Sequence, residues 1–374
     1  MSSCSHQPTW QADGVRRRIV VIGATGRTGR MVSRELAGEG RLLLVGRSPE
    51  SLGALGRELD CPVQVARLEE LGGVLEPGDV VVSTVGPYDL VGDQVVTAAI
   101  ASACTYVDVT GEPRFLERIY DDHGPEAGRH GVMLLPAAGY EFVPGHLLAH
   151  RAATAARGDA RTVEIAYLAD GGLQAGSASG RRSLVRAMTR STRTFRDGMV
   201  RREPVGERRS SFRTTAGRRS TVSIGGAEVW TLRQHFPELT AIDVHSGWFG
   251  PLGPAVTVGG QLTRPLRLVR GDWVLDRALA LLGDGPEEGL AEGTSRFVAR
   301  CRDERGRVIT RREAVAGNAI VLAARLAAAT ADRLAQRDLR DLPTGATDPI
   351  GVFGIDGLAE ICAWAGLVEL DDGP

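Results

Sequence analysis

The apolar positions of the first 140 residues fall into short unbroken runs. Polar, helix-compatible stretches separate them. Ile19-Val20-Val21-Ile22, Leu42-Leu43-Leu44-Val45, Val80-Val81-Val82 and Val132-Met133-Leu134-Leu135 show no alternation, as strands buried on both faces require. The pattern also predicts strands at 62–66, 79–85 and 106–112, the last leaving through the polar exit Thr110-Gly111-Glu112. Helices are predicted at 48–59, with Ser48 as N-cap and Pro49 in the first turn, at 68–75 and at 93–103. Strands alternating with helices imply an α/β fold, a Rossmann-type doubly wound parallel sheet. Ligands of such sheets lie beyond the strands' carboxyl ends.

After residue 145 the texture changes. A strand is predicted at 162–168, a Gly/Ser/Ala-rich stretch at 171–180 and a helix at 181–188. Residues 190–221 carry many arginines among few apolar positions and read as long surface loops. Those arginines are either solvated or steer an anionic ligand. Residues 239–248 alternate as a strand, and 297–314 read as a β-hairpin turning at Asp303-Glu304-Arg305-Gly306. Apolar helices are expected at 318–333 and 355–365. The middle is therefore expected to be an inserted α+β domain with a mainly antiparallel sheet. The expected organisation is a flexible tail at 1–16, a Rossmann-type domain at 17–145, a substrate or dimerisation domain at 146–340, and a segment at 341–374 returning to the first domain.

The chemistry concentrates where the first strand ends. Gly23-Ala24-Thr25-Gly26-Arg27-Thr28-Gly29 places three glycines between that strand and a helix start, the arrangement that aims backbone N–H groups at a pyrophosphate. The second strand ends in Arg47-Ser48, where NAD sites carry an acidic residue for the ribose. A guanidinium suits the 2′-phosphate of NADP instead. Arg27 either stacks on adenine or shares that phosphate; the alternative for both arginines is a solvated loop position. Cofactor contacts are expected from Gly23, Thr25, Gly26, Arg27, Thr28, Gly29, Arg47 and Ser48. Thr84, Val85, Gly86 and Pro87, after the fourth strand, complete the set.

Composition removes several classes. All 45 basic residues of this 374-residue chain are arginine, so no mechanism can use a lysine Schiff base or the Tyr-x-x-x-Lys pair of short-chain dehydrogenases. A net charge of −1 gives no basic field for nucleic acid. No apolar run reaches the about 20 residues of a membrane helix, and no cationic-plus-apolar leader is evident. Five scattered cysteines lack metal spacing and fit a reducing cytoplasm.

Several segments together resemble the saccharopine dehydrogenase-like family, closest to its trans-acting enoyl reductase branch. They are the glycine turn at 23–29, Val45-Gly46-Arg47-Ser48, Val85-Gly86-Pro87-Tyr88, Tyr106-Val107-Asp108-Val109-Thr110-Gly111-Glu112 and Gly139-Tyr140-Glu141-Phe142-Val143-Pro144. The last resembles the family's Gly-Phe-Asp-Ser-Val-Pro, with Tyr140-Glu141-Phe142 in place of Phe-Asp-Ser. The resemblance implies an NADP(H)-dependent oxidoreductase that reduces a C=C or C=N bond of a small or carrier-bound metabolite. An NADP-binding regulator without turnover and a saccharopine-type amino-acid dehydrogenase are the alternatives. Neither nucleic acid nor membrane is an expected partner, and a homodimer is left open.

Catalytic candidates follow. Tyr88 either donates a proton or packs on the loop. Glu112 either bonds a carboxamide or substrate amine or caps a helix. Asp108 is expected to bond backbone or Tyr106. Tyr140, Glu141 and His146 form the densest titratable set at the domain junction, with Pro144 starting a helix between the last two. His146 is a candidate general acid or a solvent-facing helix residue. His146 and His150 have metal-pair spacing, but no third ligand is evident, so no metal is expected. His235 and His245 flank the middle strand.

Overall fold

The computed structural model describes residues 16–38, 41–169, 191–247 and 293–370. In the first half, β1 (Ile19–Ile22) leads to α1 (Arg27–Leu36), β2 (Leu42–Gly46) to α2 (Pro49–Leu59), and β3 (Val63–Val65) to β4 (Val80–Ser83). Then come α3 (Tyr88–Ala101), β5 (Thr105–Asp108), α4 (Pro113–Arg118), α5 (Gly124–Arg129), β6 (Met133–Leu135) and α6 (Val143–Ala155). The second half runs β7 (Thr162–Ala169), β8 (Ser191–Arg196), β9 (Met199–Pro204), β10 (Arg209–Thr214), β11 (Gly217–Ile224), α7 (Glu228–His235) and β12 (Ala241–Ser246). It closes with β13 (Ser295–Arg302), β14 (Val308–Ala316), α8 (Ala319–Ala335), β15 (Gly345–Ala346), α9 (Pro349–Trp364) and β16 (Val368–Leu370).

The seven-stranded sheet has the order β15-β6-β5-β4-β1-β2-β3, and every pairing is parallel. This is the doubly wound sheet that the unbroken apolar runs require. Val32 and Leu36 of α1, Leu52 and Leu55 of α2 and Ala327 of α8 cover one face. Val95 and Ala99 of α3 and Phe115 of α4 cover the other. The strand order reverses between β1 and β4, so their carboxyl ends frame the ligand crevice. Helix α8 shares the α1 core, although the sequence reading ran the second domain to residue 340.

The second sheet has nine strands in the order β10-β11-β12-β7-β13-β14-β16, with β8 on β12 and β9 on β8. Among the described residues only the β12–β7 pairing of this sheet is parallel. Leu147, Leu148 and Ala152 of α6 pack on Val163 and Ile165 of β7 and Phe297 and Ala299 of β13.

The reading of 190–221 as loops is corrected: β8 to β11 occupy it. Arg193 and Arg202 of the first hairpin hold Glu117 on α4, and Arg196 and Arg208 hold Asp243. Arginine stems lie on strand faces and their heads find carboxylates, so low apolarity did not mean loop. Asp197 and Gly198 both have positive φ, 50° and 73°, the two-residue turn that Asp-Gly favours. The expected stretch at 171–180, the helix at 181–188 and nearly all of the tail lie outside the described residues.

Candidate active site

Geometry at the β1–α1 turn is set by close backbone approach. Gly23 has a φ of +83°, and a Cβ on Gly29 would stand 2.2 Å from the Gly23 carbonyl oxygen. Thr84 locks the other wall, its Oγ1 donating to the Ile22 carbonyl at 2.9 Å. Gly26 starts α1 without a side-chain cap, so the first amides of the helix point into the crevice uncapped by any side chain. The Nε of Arg27 is buried without a hydrogen-bond partner. Arg47 is exposed after β2 and has no partner among the described residues. Ser48 Oγ lies 3.3 Å from Ser51 Oγ. The uncapped helix end and the unpartnered guanidinium nitrogen fit a dinucleotide phosphate. Arg47→Ala is expected to lower NADPH affinity by about tenfold to a hundredfold and leave NADH affinity unchanged, read by fluorescence titration.

Downstream of β4, Gly86–Pro87 is a cis peptide and Pro87 leads into α3. Tyr88 does not face the crevice freely. Its hydroxyl donates to the Ser83 carbonyl at 2.8 Å, its ring packs on Phe115 at 5.5 Å, and the side chain is buried. Glu112 caps α3: its two oxygens accept from the amides of Tyr88 and Asp89, each at 2.9 Å. Asp108 Oδ1 accepts from the amides of Thr110 and Ala137, each at 2.8 Å, which shapes the exit of β5. Burial raises the Asp108 carboxyl to about 6 against these bonds.

Glu141 is the candidate with the right chemistry. It sits in the β6–α6 loop, half-buried, with its carboxyl pressed against Gly111 in the segment between β5 and α4; a Cβ on Gly111 would meet Oε2 at 1.6 Å. Burial, then the nearby Glu112 charge, raises it to about 7. Tyr140 is buried, its hydroxyl donating to the Leu168 carbonyl at 3.2 Å. Behind it, Tyr167 donates to Glu228 Oε1 at 2.5 Å. Burial raises Glu228 to about 7, opposed by that bond. Glu228 was absent from the sequence-based candidates; it lies in a poorly resembling region and carries no motif, so nothing local marked it.

His146 does not face solvent. It is fully buried on α6, and its Nε2 lies 3.0 Å from Asp348 Oδ1. His235, at the end of α7, meets Asp348 Oδ2 at 3.0 Å. Asp348 also caps α9 through the amides of Ile350 and Gly351. Burial works against the Asp348 charge, but the two histidines hold its carboxyl well below the ordinary range. His245 lies on β12, edge-on to Phe212, where burial pushes it down to about 4.

Residues 19–135 match the model of the saccharopine dehydrogenase NADP-binding domain. This segment is a saccharopine dehydrogenase-type NADP-binding domain, and NADP(H) is its cofactor. Trans-acting enoyl reductase of Mycobacterium ulcerans is 33% identical over 146 residues, covering 35% of this chain and 34% of that protein. Saccharopine dehydrogenase-like oxidoreductase of Bos taurus is 30% identical over 155 residues, covering 34% and 35%. The chain thus matches only about a third of the length of these relatives. Saccharopine dehydrogenase (L-Glu forming) from Saccharomyces cerevisiae is similar in fold over nearly the whole chain. It has a TM-score of 0.61 at 11% identity and covers 95% of this chain and 99% of its own. No helix among the described residues is long and apolar enough to cross a membrane.

Proposed function

We propose that this protein is an NADPH-dependent reductase that adds hydride and a proton across a C=C or C=N bond of a small or carrier-bound metabolite. The observation that carries this reading is the Glu141 carboxyl set against Gly111, just past the carboxyl end of β5 in the same parallel sheet whose β1 leads into the dinucleotide turn, where burial raises it to about 7. NADPH supplies a hydride when bound. The chain's own share is then to orient the acceptor, exclude water and deliver one proton. Glu141 supplies that proton: its O–H bond breaks, the substrate atom next to the hydride acceptor gains the hydrogen, and the carboxylate recharges from solvent. Acidic neighbours on this side favour an acceptor that gains positive charge, as an imine does on protonation. Similarity to trans-acting enoyl reductases of two mycobacteria favours an enoyl group instead.

A panel of cyclic imines and enoyl thioesters, followed by NADPH absorbance, tests the reading. Glu141→Gln is expected to lower kcat by about a hundredfold to a thousandfold with NADPH affinity retained. The acid must be protonated, so wild-type kcat should fall as pH rises through about 7. The variant should lose that limb. Tight NADPH binding with no turnover on any panel member would overturn the reductase reading and leave a regulator.

A further inference from the structure

His146, His235 and Asp348 are distant in sequence and converge from α6, α7 and the cap of α9. One donor atom from each lies within 4.8 Å of the other two. We propose that they form a binding site for a divalent transition metal of the zinc class, which ties the second domain to the first.

Two imidazole nitrogens and a carboxylate oxygen are the donor set zinc takes. Each His–Asp separation is 3.0 Å, near the about 3.3 Å edge of a tetrahedron with 2.0 Å bonds. The carboxylate brings the negative charge that a buried dication needs, and its orientation is already fixed by two α9 amides. His146 is fully buried and its Nδ1 has no partner, so the hydrogen bond to Asp348 is all that satisfies a ring sealed from water. A coordinate bond from Nε2 is a stronger anchor for that ring. His150 follows His146 by one helical turn on the same face, and its ring is 5.6 Å from that of His235. Its donor atoms lie outside the converging set, so the proposed site has three protein ligands and a fourth position for water. On binding, each imidazole must present its Nε2 lone pair, so the proton it now shares with Asp348 moves to Nδ1 of a neutral ring or is released to solvent from a protonated one.

This site is independent of the reductase reading, because none of its residues lies in the NADP-binding turn. The test uses full-length protein purified without a metal-chelating tag, loaded with Zn²⁺ or Co²⁺ and desalted. Wild type is expected to retain one equivalent per chain, and the Co²⁺ form to show the visible absorption of a tetrahedral site. His235→Gln should fall to background metal while keeping its circular dichroism and NADPH affinity. A chelator should lower the melting temperature of wild type and not of the variant. Absence of retained metal in folded wild type, or equal retention by His235→Gln, would establish a hydrogen-bonded triad only and overturn the proposal.

Discussion

Gly29→Ala is expected to cut NADPH affinity by at least about tenfold and to lower the melting temperature. The added methyl would meet the Gly23 carbonyl oxygen at 2.2 Å and Thr84 Oγ1 at 2.8 Å. The first contact is backbone, so no rotamer change relieves it. Either α1 moves off the sheet or the turn opens, and both displace the amides that face the phosphates. Overpacking of this kind costs about 1–3 kcal/mol, and tenfold in affinity is about 1.4 kcal/mol. Gly72→Ala is the control, since nothing lies within 4 Å of its added Cβ. Fluorescence titration and thermal melts read both variants. Unchanged affinity in Gly29→Ala would mean that the turn does not hold the cofactor.

Glu228→Gln is expected to stabilise the protein in mildly alkaline buffer. Burial holds the native carboxyl at about 7 instead of 4.5, so between those values the folded state keeps a proton that the unfolded chain has released. Stability therefore declines as pH rises through that window, and the whole penalty, about 3 kcal/mol, applies above it. Glutamine has no proton to lose and still accepts from Tyr167. The variant should melt several degrees above wild type at pH 8, and the gap should close as pH falls toward 4.5. Parallel pH profiles for the two proteins would refute the assignment of a charged, buried Glu228.

The parallel sheet was legible because its strands are buried on both faces and say so residue by residue. The glycine turn was legible because only glycine permits the Gly23–Gly29 approach. The Ser48-Pro49 signal likewise marks a real helix start, at Pro49, and the helix expected at 318–333 starts at Ala319. The strands from 191 to 224 were hidden because their arginines are neutralised by partners far along the chain, such as Glu117 and Asp243. The Asp197-Gly198 turn was the local clue. For the site, the motifs located Glu112 and Glu141 but not their duties. Whether a carboxylate caps a helix or stays free for a proton depends on which amides tertiary folding delivers. Asp348 and His235 lie 113 residues apart, and no spacing rule joins them.

The stretch after residue 340 lays one strand, β15, on the parallel sheet and another, β16, on the mixed sheet, with α9 between them. As the chain leaves the ribosome, both sheets must wait for this stretch before either has its outermost strand. The two domains are therefore finished by a single late event, and an internal proteolytic cut that released it would unzip an edge of each at once.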